Sequence, residues 1–539
     1  MDASHPLFEN NDAPTEAQRR QILQLIVDRE DEAHRLYDQL RGAREAVGEI
    51  SQRIKANAKM LRSLQQATAG IRQLPVEILA EIFVHFAVEC RMGPKWYTLH
   101  KRISPMILAR VCSKWRAIVL GTPRIWRSLR FKVAAIPSCG PSPEGIRALL
   151  RLSYPHAFSL EVDGREPRAT DPQRPVKFTS PILMTLARTP GFSERLQTLS
   201  IGLMSIHFSD VVELPAPVFP CLHTFSLYLR GGQGSTTIHE IMYYFRNLPS
   251  LRHLKVSVPQ KLRGPQYRYM GELPPFQWAQ LETLEWSSSL DVRTVHWILS
   301  RSTSLRTCKF TEIRFNDLEF EPHTIDALPT MSTLPELEEL ALSGLVIIGY
   351  PLLQSLTLPA LKSLDIAAIQ VATGVDVLGE LQVRSGFGLT TLKLEAGIDF
   401  RFIAAFLDAN PSITQLSLQM PRNDYGVIVH LTYPLELEGV HACGTVPLPN
   451  LTSFTVFATT TNRSLAKNGD DLARMLASRC IGGDALVGAG LARLEDVHVR
   501  ITGYRMSDEA EEVVEHLAEE GCLQDHLWRM SRVSHSDNV

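Results

Sequence analysis

A short apolar pattern recurs along the chain after residue 195, and it restricts the fold more than any other feature. Eleven segments fit L-x-x-L-x-L with conservative replacements. Their first apolar residues are Leu196, Leu222, Leu251, Leu281, Leu305, Leu337, Leu361, Leu389, Ile413, Leu451 and Leu494. Because one short strand cannot bury its apolar edge alone, successive copies have to stack on one another.

The steps between copies are 26, 29, 30, 24, 32, 24, 28, 24, 38 and 43 residues, and most are close to the 20–29 residues typical of a leucine-rich repeat. Proline turns such as LPSL and LPEL precede several strands, and TIHEIMYYFRN and FIAAFLDAN read as helices between them. HAFSLEVD, around Leu160, reads as an earlier copy. The pattern predicts an irregular α/β leucine-rich-repeat solenoid over residues 133–505. An acidic capping helix and tail follow at 506–539, with Val513, Val514 and Leu517 turned inward.

The copies depart from the usual repeat in one feature, and one alternative fold has to be considered. The Asn or Cys that usually follows the third apolar position is missing from every copy, so we expect uneven coils. The alternative is a β-sandwich of leucine-rich strands, but helices between strands favour parallel pairing.

Side chains alternate along a strand, so the residues flanking the second and third apolar positions point away from the core. We expect them to form the concave surface of the solenoid and to bind a protein substrate. The candidates are Tyr228, His253, Lys255, Glu285, Lys309, Glu339, Asp365, Lys393 and Glu395.

The N-terminal part begins with a disordered tail at 1–15, and a long amphipathic helix follows at 16–69. Thr15 and Glu16 give it a start signal. Its apolar residues recur in alternating steps of three and four from Ile22 to Leu64, with Arg29 and Asn57 in the seam. One interpretation is a helix packed along its own chain; the other is a homodimeric coiled coil through residues 22–64.

Residues 70–132 combine three short motifs. LPVEILAEIF begins an amphipathic helix, with Ile78, Leu79, Ile82, Phe83 and Phe86 on one side, which ends at Gly93-Pro94. ARVCSKWRAIV lies on a second helix that starts after Ser104 and Pro105. TPRIW closes the unit, ahead of a strand.

In this order the three motifs resemble an F-box, in the form common among large fungal (basidiomycete-type) F-box proteins. The resemblance implies a small all-α domain that binds the Skp adaptor of a Skp–cullin–F-box ubiquitin ligase. The residues that match are Leu74, Pro75, Ile78, Leu79, Ile82, Phe83, Val111, Cys112, Trp115 and Ile118. The connection at 87–107 is longer than in the family pattern, which bears on how the two helices are placed.

Composition and the absence of known motifs limit the classes of partner and of chemistry to be expected. The net charge of −2 gives no reason to expect nucleic acid or an anionic membrane as a partner. The eight cysteines lack metal-ligand spacing, and no apolar run reaches the ~18 residues that a membrane span needs. We expect a reduced intracellular compartment, cytoplasmic or nuclear, and no cofactor or metal. No phosphate loop, zinc-protease motif or nucleophile elbow is present, and Cys112 lies on an apolar helix.

The sequence thus describes an α+β chain with three hypotheses for its function. The first is the substrate receptor of a ubiquitin ligase, without an active site of its own. The second is a leucine-rich scaffold whose F-box-like helices are only structural. The third is an enzyme of unrecognised type.

Overall fold

The structure is a computed structural model. It describes Thr189, Leu486 and residues 13–92, 104–133, 142–164, 191–204, 218–230, 238–258, 276–314, 331–344, 349–370, 376–397, 400–420, 426–433, 447–459, 467–480, 490–502 and 507–519. The chain divides into two compact units, Met1–Ile82 and Phe83–Val539. Most of the tail predicted at 1–15, residues 93–103 of the long connection and the segment from 520 to the end lie outside the described residues.

The first unit is dominated by helix α1, Glu16–Ala67, of 52 residues. Thr15 caps it reciprocally: its hydroxyl accepts from the Gln18 backbone N–H, and Gln18 Oε1 accepts from the Thr15 backbone N–H. At about 1.5 Å per residue the helix is ~78 Å long. No residue of α1 is buried.

Helix α2, Val76–Met92, begins after Pro75 and ends ahead of Gly93-Pro94, as predicted. The second predicted helix is wrong in detail. Pro105–Arg110 is a 3-10 helix, and α3 occupies only Ser113–Gly121. The break occurs at Cys112, whose backbone is extended and whose Sγ accepts from the Trp115 N–H at 3.5 Å. Cys112 is therefore an exposed N-cap and does not lie on an apolar helix face.

Among the described residues of the second unit, thirteen strands form one sheet. In sheet order they are β1 Ser128–Val133, β2 Phe158–Gly164, β3 Leu196–Met204, β4 Thr224–Arg230, β5 His253–Ser257, β6 Thr283–Asp291, β7 Thr307–Arg314, β9 Glu339–Gly344, β11 Ser363–Gln370, β12 Thr391–Gly397, β13 Gln415–Met420, β14 Ser453–Thr459 and β15 Asp496–Thr502. The short strands β8, Ser332–Thr333, and β10, Leu356–Thr357, pair separately.

Every neighbouring pair in the large sheet is parallel, and the order follows the chain. This excludes the β-sandwich alternative, whose sheets would be antiparallel. The first apolar residue of all eleven predicted copies is buried, as the repeat pattern requires. Along each strand, buried side chains alternate with half-buried or exposed ones, which form a second surface, called here the polar face.

Two strands ahead of the eleven copies continue the same sheet. Trp126, two residues before β1, and Leu129 and Phe131 within β1 are buried at the spacing of the repeat, so TPRIWRSLRF belongs to the strand pattern as well as to the end of the second region. In β2, the copy predicted around Leu160, the register with β3 shifts between Phe158, which pairs with Leu196, and Ser159.

Helices lie between many of the strands. They are α4 Pro143–Leu152, α5 Ile238–Tyr244, α6 Val292–Arg301, α7 Gly349–Gln354, α8 Val377–Ser385, α9 Phe400–Asp408, α10 Gly426–Leu431, α11 Lys467–Cys480 and α12 Asp508–Glu519. In the predicted acidic helix α12, Val514 and Leu517 are buried and Val513 is half-buried. No helix among the described residues is both long and apolar enough to cross a bilayer.

Buried Ser and Asn side chains at helix ends bond the backbone, a role that the consensus Asn would have filled. Ser302 donates to Ile298 O, and Ser385 Oγ accepts from the Leu358 N–H. Asn410 makes the most contacts: its Nδ2 donates to Gln382 Oε1 and to Phe406 O, and its Oδ1 accepts from the Leu389 N–H. Because these groups are buried, each lost partner leaves a polar atom unsatisfied.

Replacing Asn410 with leucine should therefore lower the free energy of unfolding by ~1–3 kcal/mol, since the Leu389 N–H and the Gln382 amide lose a buried partner. Thermal and urea unfolding measure the loss. Asn450→Leu is the matched control, because Asn450 is exposed and donates only to Pro411 O. Equal losses in the two variants would contradict the assigned role.

Candidate protein-binding surfaces

Helix α2 carries two apolar rows, and only one of them is buried. Leu79 and Phe83 are buried, whereas Ile78 and Ile82 are 49% and 42% exposed. The sequence placed all four on one side of the helix, and the structure separates them into adjacent rows at i, i+4 spacing. Pro75 is exposed and Leu74 is half-buried. The exposed pair, Ile78 and Ile82, is called here the α2 apolar row.

The other matched residues lie in the second unit and also differ in burial. Ile118 is buried, and Trp115 is half-buried with its ring centroid 4.7 Å from that of Phe83. Val111 is 59% exposed, and Cys112 is exposed as the α3 cap. Phe83, Trp115 and Ile118 therefore serve the core, while Val111 and Cys112 are accessible.

The predicted substrate-binding residues all occupy outward positions of the large sheet. Those that stand between two buried neighbours on their strands are Tyr228, Lys255, Glu285, Lys309, Asp365 and Lys393, and Glu395 follows buried Leu394. Parallel register brings one position of successive strands side by side. This row contains Lys255, Glu285, Lys309, Ala341, Asp365 and Lys393. His253 and Glu339 begin their strands on the same face.

Several of these charges pair with one another. Lys255 binds Glu285, and Lys393 lies 3.5 Å from Asp365 and 2.8 Å from Glu395. The hydrogen bond with Glu285 raises the pKa of Lys255, and the hydrogen bond with Glu395 raises the pKa of Lys393. Such half-exposed pairs contribute little to stability, but they reduce the charge offered to a ligand.

Lys309 and Glu339 differ from this pattern. Both are exposed, and neither has an ion-pair partner among the described residues. They lie on the neighbouring strands β7 and β9. Within the described part of the polar face, these two charges are the ones most available to a ligand.

A second line of charges follows the beginnings of the strands, and sequence reasoning missed it. Arg252 Nη1 lies 2.6 Å from Glu282 Oε1, and Lys362 Nζ lies 3.0 Å from Glu338 Oε2. The signal is present in the sequence: the residue after each first apolar position alternates in sign through Arg252, Glu282, Arg306, Glu338 and Lys362. Alternation of this kind disfavours pairing of a strand with the next strand but one, which would bring like charges together.

One Ser–His pair lies in the second unit. His296 Nε2 and Ser332 Oγ are 3.3 Å apart, but both residues are buried, so a substrate has no access to them. Among the residues that the structure describes, no cluster of three His, Cys, Asp or Glu side chains is placed to hold a metal ion.

A groove of about 930 Å³ lies along α8 and α9, lined in part by Asp376, Glu380, Arg384 and Phe406. Its polar groups hold the fold together. Asp376 caps α8 through the Gly379 N–H, and Arg384 donates to Leu353 O and Leu356 O. This groove provides no arrangement from which a catalytic site could be argued.

Among solved structures, a leucine-rich-repeat protein of Leptospira interrogans shares 12% identity with this chain, covering 65% of it and 93% of the other chain, with a TM-score of 0.24. A likeness at this level carries no argument about the present fold. No family model matches the chain, and no curated protein does.

Proposed function

We propose that this chain is the substrate-recognition subunit of a Skp–cullin–F-box ubiquitin ligase and has no active site of its own. The F-box-like residues would bind the Skp adaptor. The repeated strands would form a leucine-rich-repeat solenoid whose polar face binds a protein substrate. Transfer of ubiquitin would belong to other subunits.

The α2 apolar row is the observation that carries the adaptor half of this proposal. If α2 only packed into the core, the buried residues Leu79 and Phe83 would be sufficient for it. Ile78 and Ile82 form a further apolar pair, directly after the Leu-Pro start of the motif, and water covers much of both. Burying each of them on a partner would contribute ~1.5–3 kcal/mol. Val111 and Cys112, in the second unit, are exposed as well.

For the substrate half, the most favourable contacts are Lys309 and Glu339, since the other charged candidates are engaged with one another or with Tyr228. A substrate segment with an acidic and a basic group at matching spacing would fit this pair.

The alternative is a non-catalytic leucine-rich-repeat scaffold in which the F-box-like helices α2 and α3 are only structural. The long connection at 87–107 favours it. Either function is compatible with the burial of Leu79, Phe83 and Ile118. Substitution of the exposed residues therefore distinguishes the two functions.

We expect the purified full chain to bind the Skp adaptor. The Ile78→Asp, Ile82→Asp variant should bind at least ~100-fold more weakly, because it lacks two apolar side chains that the complex would bury. Isothermal titration calorimetry measures both affinities. Circular dichroism should show unchanged helix content, because both side chains are exposed.

Val88→Asp is the matched control, because Val88 is an exposed apolar residue of α2 outside the row. We expect it to leave the affinity essentially unchanged. Equal weakening by Val88→Asp would locate binding elsewhere on the helix. A folded, unsubstituted chain that does not bind the adaptor would refute the ligase role and leave the scaffold.

A further inference from the structure

Helix α1 presents apolar side chains along nearly its whole length without burying any of them. Seven of its seam positions are large apolar residues that are more than 40% exposed: Ile26, Leu36, Leu40, Val47, Ile50, Ile54 and Leu61. Leu64 continues the seam and is exposed as well. An apolar stripe of this length needs a partner of similar length and matching spacing.

We propose that α1 pairs with α1 of a second copy as an antiparallel two-stranded coiled coil. The inference is independent of adaptor binding. It rests on the order of large, small and polar residues along the seam, which decides between the two orientations of a homodimer.

In a parallel dimer each seam residue meets its own copy. Arg29 would then face Arg29 and bring two like charges together in the core. Ala33 would face Ala33 and Ala43 would face Ala43, which leaves two layers with too little volume to fill. These three seam layers are therefore unfavourable in the parallel arrangement.

In an antiparallel dimer whose helices overlap end to end, Glu16 lies level with Ala67 of the second copy. Ala33 then lies level with Ile50, and Ala43 lies level with Leu40, so both of these alanines meet a large residue. Leu36 lies level with Val47. Arg29 lies level with Ile54 and is separated from its own copy by much of the length of the seam.

The flanking charges agree with this orientation. Each copy carries Glu32 directly before the seam residue Ala33 and Arg53 directly before the seam residue Ile54. When the helices are antiparallel, Glu32 of one copy lies within two residues of the level of Arg53 of the other. By symmetry the pair forms twice. Glu32 is 3.7 Å from Arg35 within its own helix, an exposed contact that leaves it able to make a second one.

A dimer of this kind would carry two polar faces in one particle. A ligand with two binding sites would then be held more tightly than by a single chain, without any new contact.

Sedimentation equilibrium of the full chain at micromolar concentration is the first test, and we expect the mass of a dimer. The Leu36→Asp, Val47→Asp variant should sediment as a monomer, because the two carboxylates meet in one layer, twice per dimer. Val27→Asp, Ala56→Asp is the control: it adds the same charges to the same helix outside the seam and should remain a dimer. Circular dichroism reports whether each variant keeps its helix.

Orientation is tested by mixing Ala33→Cys and Ile50→Cys chains under oxidising conditions and mapping disulfides by mass spectrometry of peptides. We expect a disulfide that joins position 33 of one chain to position 50 of the other. Two copies of the Ala33→Cys chain should not be linked through position 33, since like positions would be ~25 Å apart and a disulfide needs Cα atoms within about 7 Å.

Three results would each overturn the proposal. The first is a monomeric unsubstituted chain, and the second is a dimer that survives Leu36→Asp, Val47→Asp. The third is a disulfide between the two substituted positions 33 of an Ala33→Cys pair, which would show that the helices are parallel.

Discussion

Replacing Arg479 with alanine is expected to lower the free energy of unfolding of the C-terminal repeats by about 3–5 kcal/mol. Arg479 lies near the end of α11 and is fully buried. Its guanidinium donates to Leu431 O, Leu448 O and Pro447 O at 3.1, 3.2 and 2.6 Å. Alanine would remove one donor from each of these carbonyls, leaving Leu448 O only the Leu451 N–H at 3.3 Å, and would open a cavity the size of the side chain. Burial lowers the pKa of Arg479 to about 10, so it is still charged at neutral pH.

Hydrogen–deuterium exchange is the measurement that resolves this effect. In a repeat array each unit contacts mainly its neighbours, so protection should fall in α10, α11, β14 and β15 and persist in β4 to β7. Arg474→Ala is the matched control on the same helix, since Arg474 is exposed and pairs with Asp471 at 3.0 Å. We expect it to change stability by less than ~1 kcal/mol. A uniform loss of protection along the sheet would contradict the local role of Arg479.

The sheet could be predicted because its signal is a spacing. Each copy needs three apolar residues, the second three places after the first and the third two places after the second, and leucines at those offsets are easily recognised. The strand after TPRIW was predicted but was not recognised as a copy of the repeat, because a tryptophan, Trp126, holds its first apolar position. A search that admitted tryptophan at the first position would have found it.

The candidate sites were less predictable, because burial on a helix depends on what packs against it. Ile78 and Leu79 are neighbours with the same chemistry, yet one is exposed and the other is buried. Likewise, Lys255 and Lys309 occupy one row of the sheet, and only the first meets a carboxylate among the described residues. Glu285 lies between the two lysines in this row, so the register alone does not specify which lysine it binds.

Helix boundaries were predictable where a familiar cap, or a proline or Gly-Pro pair, marked them. Thr15 with Gln18 is a capping box, and its position was found. Cys112 caps α3 through its sulfur. Cysteine is not a usual N-cap, so the break between the 3-10 turn and α3 had no recognisable signal.

Trp286→Ala should destabilise the central repeats by about 3–5 kcal/mol. Trp286 is fully buried in β6, at a register position held by Val256 in β5 and Phe310 in β7. Its indole Nε1–H donates to Ser288 Oγ at 2.7 Å. Removing the ring leaves the largest cavity that a single truncation can make in this row, because the other strands carry smaller side chains there. Exchange protection should fall in β5, β6 and β7 and persist in β13 to β15.

Three variants separate the causes of this loss. Ser288→Ala leaves the indole N–H without its acceptor and should cost ~1–3 kcal/mol if that hydrogen bond matters. Trp286→Leu supplies the residue found at the same position in β9, β12 and β13, so it should recover part of the stability. Trp297→Ala is the control for loss of a tryptophan as such: Trp297 is half-buried on α6 and stacks under Arg301. A loss in Trp297→Ala as large as that in Trp286→Ala would show that the row position is not what makes Trp286 important.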